Sequence, residues 1–165
     1  MTTEELHRKH LAALITGDLG EAAKLNAFFN GHDRTNAVNL LRAACAVALE
    51  YRFGPGAGLG AGPVDYDELR VFMAELRRAG AGAELPPDYL AVEAAVRSLY
   101  GEPHLIEPLE RRRRSQAFFT LLEHQTHRHQ WLAANPWTVV DRAKQTMTIW
   151  IVGAPEGLSA AGPTA

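Results

Sequence analysis

The stretch TNAVNLLRAACAVALEYRF, residues 35–53, decides the fold. On a helical wheel it is apolar around most of its circumference and leaves a narrow polar strip of Asn36, Asn39, Arg42 and Glu50. A surface helix keeps a broad polar face. A helix that lacks one has neighbours on most sides, so this segment belongs in the middle of a helical bundle. Asp33 or Thr35 can cap it. Asn39 and Arg42 then have to find partners at the edge of the core, and pairing within the protein is favoured over a ligand site because buried polar groups are normally satisfied internally. Cys45, the only cysteine, falls in the most apolar part of the stretch, where an inert core thiol is expected.

Upstream, Thr2 and Glu5 have the spacing of a capping box and open a helix that runs to about Thr16. Its apolar stripe is Leu11, Leu14 and Ile15, with His7 on the same face, and Gly17 closes it. Asp18 and Glu21 repeat the spacing and start a short helix that carries Leu25, Phe28 and Phe29 and stops at Asn30 and Gly31. Downstream, segment 54–64 contains GPGAGLGAGP. It lacks the lysine and hydroxyl of a phosphate-binding loop and no strand precedes it, so a mobile connector is expected, and it is the one candidate boundary between subdomains.

Past that loop, Val64, Asp65 and Glu68 launch a helix with Leu69, Phe72, Met73 and Leu76 at helical spacing, ended by Gly80. Pro86 and Pro87 start the next, with Val92, Val96, Leu99 and Tyr100 inward and Gly101 as its stop. A long helix is expected over 107–134, halted by Asn135 and Pro136. The segment WTVVDRAKQTMTIWIV, residues 137–152, has strand-like composition, yet Val139, Val140, Ala143, Met147, Trp150 and Ile151 share a helical face, and helix is favoured over a hairpin. Residues 153–165 have little to bury and read as a disordered tail. The expected fold is all-α: a single-domain bundle of six or seven helices over 1–152.

Composition bounds the function classes. With 165 residues, 47% of them hydrophobic and 22% charged, the chain suits one globular domain. A net charge of -2 gives no global attraction to nucleic acid or to an anionic membrane. The N-terminus lacks the order of a signal peptide and no apolar run approaches the ~18 residues of a membrane span, so a cytoplasmic protein without membrane contact is expected. Abundant arginine and alanine suggest a GC-rich bacterial source.

The chemistry is concentrated in RRRRSQAFFTLLEHQTHRHQW, residues 111–131. On a continuous helix Phe118, Leu121, Leu122, Gln125, His129 and Leu132 form the core side, while Glu123, His124, His127 and Trp131 share the opposite face. That second face is the candidate partner-binding surface, with Trp131 as its anchor. His124 and His127 stand one turn apart, as do His7 and His10 on the first helix. If the two helices adjoined, the four histidines would make a site for a divalent transition metal. Arg111, Arg112, Arg113 and Arg114 could hold phosphate, as in nucleic acid, but four consecutive helical positions splay through about 300°. Glu107 and Glu110 lie four residues before Arg111 and Arg114, so a solvated, salt-bridged turn is favoured. No serine sits in a nucleophile elbow. The leading expectation is a non-enzymatic interaction or regulatory module with a protein partner and no resident cofactor; a metal-binding bundle or metal-dependent enzyme is the alternative, and nucleic-acid binding the second alternative. Self-association is left open.

Overall fold

The computed structural model describes residues 1–152. Among them the chain forms eight α-helices and no strand: α1 (Thr3–Thr16), α2 (Leu19–Asn26), α3 (Gly31–Phe53), α4 (Tyr66–Ala79), α5 (Tyr89–Leu99), α6 (Arg111–Arg128), α7 (Gln130–Ala134) and α8 (Pro136–Val152), with a 3-10 turn at Pro103–Ile106. The all-α bundle is thus as expected, with more helices than the pattern counted. The tail expected over 153–165 lies outside the described residues.

The central helix begins a turn earlier than its apolar pattern. Asn30, rather than Asp33 or Thr35, is its cap: the Asn30 side chain accepts from the Asp33 amide at 2.8 Å, and the Asn30 amide donates to the Asp33 carboxylate at 3.1 Å. A reciprocal box satisfies two orphan donors at once, which a lone Thr35 cannot do. Phe28 and Phe29 therefore lie in the turn after α2, with Phe29 buried and Phe28 exposed. Every residue from Ala43 to Leu49 is buried, as a helix surrounded by others requires. The small side chains there let α6 and α8 approach closely. Two bonds set the register of α6: the Cys45 thiol donates to the Phe118 carbonyl at 2.9 Å, and Gln125 Nε2 donates to the Ala48 carbonyl at 2.9 Å.

The glycine-rich segment is not a free connector. Ala57 is buried, the Gly56 amide donates to Glu50 at 2.8 Å, the Gly58 amide to the Leu99 carbonyl, and Trp150 Nε1 to the Gly58 carbonyl at 2.8 Å. Gly58 has φ of +73°, and a Cβ there would meet Trp150 Cζ2 at 2.5 Å. The glycine serves close approach and a left-handed turn. Buried apolar residues form one cluster that runs from α1 and α3 through Ala57 to α4, α5, α6 and α8.

α4 buries Leu69, Phe72, Met73 and Leu76 as its periodicity predicts. α5 is capped by Asp88, which accepts from the Ala91 amide at 3.1 Å, and the proline pair precedes this cap. The last segment is helix, held by Val139, Val140 and Ala143 against α3, while Ile151 at its end is exposed.

Candidate functional site

The helix expected over 107–134 is two helices, α6 and α7, and starts later than expected, which rearranges its chemistry. Pro103–Ile106 forms a 3-10 turn, α6 begins only at Arg111, and His129 leaves the helical region with φ of -123° and ψ of 87° before α7 restarts. No glycine or proline marks His129, so local propensity did not reveal it. The bend turns Trp131 out of the face it would share with Glu123, His124 and His127. Its ring lies 6.5 Å from that of Tyr51, at the end of α3, and Tyr51 is 5.1 Å from His129. Tyr51 and Trp131 are 45% and 46% exposed. His129, assigned by periodicity to the core, joins this surface cluster instead and is partly buried.

His124 goes the other way. It is partly buried, edge-on to Phe72 at 5.4 Å, beside the ion pair in which Arg52 holds Glu75 at 2.9 and 3.3 Å. Its Nε2 is buried and has no hydrogen-bond partner among the described residues. Burial lowers its pKa; the negative charge of Glu75 opposes this, and Arg128, Arg52 and His127 add to it. His127 is exposed, and its Nδ1 donates to the Glu123 carbonyl at 2.8 Å, the bond that sets its tautomer. Glu123 is exposed. Of the four residues on the proposed partner face, Glu123 and His127 stay together, while His124 and Trp131 part.

The other histidine pair is organised by Phe29. His7 is 5% exposed, stacks on that ring at 4.7 Å, and places Nε2 3.3 Å from Asp33 Oδ1. His10 meets the same ring edge-on at 4.8 Å. Burial, and then the positive charge of His7, push its pKa down to about 4. His7 and His10 thus pack around Phe29, and His124 packs against Phe72. No group of three or more His, Cys, Asp or Glu among the described residues is arranged to hold a metal ion.

The arginine run does not form the intrahelical ion pairs that its spacing suggests, because Glu107 lies before the helix and Glu110 is its N-cap. Arg113 instead reaches Asp88 at the start of α5, at 2.7 Å. Arg114 donates through Nε to the Leu109 carbonyl at 2.7 Å and through Nη2 to that of Glu107 at 3.0 Å. Arg111 and Arg112 are exposed.

A cleft of about 370 Å³, without a signature in the apolar pattern, lies between α1, α3 and α8 and is lined by His7, Asn36, Leu40 and Met147 among others. Two ion pairs lace α1 to α8 across it, Glu4 with Lys144 and Arg8 with Asp141, so its rim charges are already matched. Tyr51 was also missed, since it falls within the apolar stretch; its position two residues from the end of α3 was the only signal. Comparison of the chain with family models, curated proteins and solved structures returns no match.

Proposed function

We propose that this chain is a cytoplasmic, non-enzymatic interaction module whose contact surface is centred on Tyr51, His129 and Trp131 and extends to Glu123 and His127. One observation carries the reading: two large aromatic side chains from α3 and α7, each about half exposed, stand side by side on the surface. Tyrosine and tryptophan anchor protein interfaces because they bury large area while losing few rotamers, and isolated exposed apolar residues do not ordinarily pair in this way. Arg128, exposed at the end of α6, adds positive charge on one side and has no ion pair among the described residues. The partner that suits this surface is a protein presenting an apolar patch flanked by carboxylates. Among the described residues no helix is long and apolar enough to cross a membrane.

The alternatives draw less support. The histidine pairs lie against different aromatic rings, and the arginines are divided among separate partners rather than lined up along one phosphate track. The test compares the wild-type chain with the Tyr51→Ala/Trp131→Ala variant, each used to capture proteins from cells that produce it. Loss of a specific partner, with helicity and Tm maintained, supports the reading, as does restoration of that partner by Tyr51→Phe/Trp131→Phe. Retention of every captured protein by the alanine variant overturns it.

A further inference from the structure

Asn36 belongs to the polar strip of the central helix, and the fold leaves it unpaired. The side-chain hydrogen bonds at the start of α3 are made by Asn30, Asp33 and Thr35, and Asn36 makes none among the described residues. It is partly buried and lines the cleft of about 370 Å³ between α1, α3 and α8. That volume falls at the lower end of the range of roughly 300–1,000 Å³ in which proteins hold small molecules, and bundles build such sites between helices.

The lining around Asn36 has a definite chemistry. Leu40, one turn further along α3, shares its face and is 5% exposed, and Met147 of α8 is partly buried beside the same space. An unbranched thioether adapts its shape to whatever it packs against. From α1 comes His7, whose ring cannot swing away because it stacks on Phe29 at 4.7 Å and places Nε2 3.3 Å from Asp33. The carboxylate makes Nε2 the donor, and the remaining nitrogen, Nδ1, is buried without a partner among the described residues. At the rim Lys144 is paired with Glu4, and Arg8 with Asp141 at 2.7 Å. A ligand ion there would be attracted by one member of each pair and repelled by the other, so charge is not what the cleft selects.

We propose that this cleft binds an uncharged small molecule carrying an amide or lactam group on an apolar body. The Asn36 side chain offers an N–H donor and a carbonyl acceptor side by side, which an amide or lactam edge matches with one acceptor and one donor. Leu40 and Met147 cover the apolar body, and the fixed His7 ring closes one wall. None of these residues belongs to the Tyr51 and Trp131 surface, so the site stands or falls independently of the proposed interaction surface.

The test is an NMR titration of the full chain with benzamide, and separately with benzoate, which has the same shape and a charge. Benzamide should shift the Asn36 side-chain amide and the Leu40 and Met147 methyl signals along one saturating curve, and should bind more tightly than benzoate. Asn36→Leu, which keeps the volume and removes the amide, should weaken benzamide by about ten-fold, the loss of one pair of hydrogen bonds. It should leave benzoate nearly unchanged. Absence of saturable shifts at these three residues, benzoate binding as tightly as benzamide, or undiminished benzamide affinity in a folded Asn36→Leu chain each overturns the proposal. The first two outcomes need only the wild-type chain.

Discussion

His10 is held neutral against Phe29 with its pKa pushed down to about 4, from an ordinary 6.5, so the unfolded chain takes up a proton there that the folded chain refuses. More protons bound in the unfolded state means that stability falls as pH drops through the window from about 6.5 to 4, and is unaffected above it. Urea denaturation across that range should show the decline, and His10→Phe, which keeps the ring and removes the titration, should make it shallower. Part of the slope should survive, because His124 is shifted in the same direction. For His124 the opposing influence is Glu75, so Glu75→Gln should move its NMR titration midpoint further down. Cys45 is buried, and burial pushes its thiol pKa up. A disulfide reagent should therefore leave it unmodified until the chain is unfolded.

At the scale of elements, the glycine segment separates two uses of one residue type. Gly58 needs both its positive φ and the space beside Trp150, whereas Gly60 has φ of +92° and nothing within 4 Å of an added Cβ. Gly58→Ala should cost about 2–4 kcal/mol, from backbone strain and the clash together. Gly60→Ala should cost about 1–2 kcal/mol, from strain alone. Chemical denaturation of the two variants distinguishes a fitted strap from a slack connector, for which both substitutions would be nearly neutral. The helices themselves were largely legible: the box at Thr2 and Glu5, the Gly17 stop and the inward row from Leu69 to Leu76 are all formed. The bend at His129 was not, because no residue there resists helix and the turn is made by the chain that follows, where Leu132 is fully buried. Periodicity carried across an unseen break assigned Trp131 and His129 to the wrong faces.

For the whole molecule, the buried stretch Ala43 to Leu49 is the floor on which α6 and α8 lie. Phe118 fills the seam between α3 and α6 and is fully buried. Phe118→Ala should remove about 3–5 kcal/mol of stability, measured by denaturant unfolding, as large-to-small changes in a packed core do. The proposed contact surface lies outside this seam, so Tyr51→Ala/Trp131→Ala should change stability by no more than about 1 kcal/mol.

By itself the sequence determined the all-α class, the central position of residues 35–53 and most helix starts, because apolar spacing and caps are local properties carried by neighbouring residues. Only the tertiary structure decided which polar side chains meet. It divided His124 from Trp131, gathered His7 and His10 around Phe29, tied the glycine strap to Trp150 and set Arg42 over the ring of that same tryptophan. Those outcomes depend on helix crossings and on a bend without a local signature, and contacts between residues of different helices leave no period in the chain.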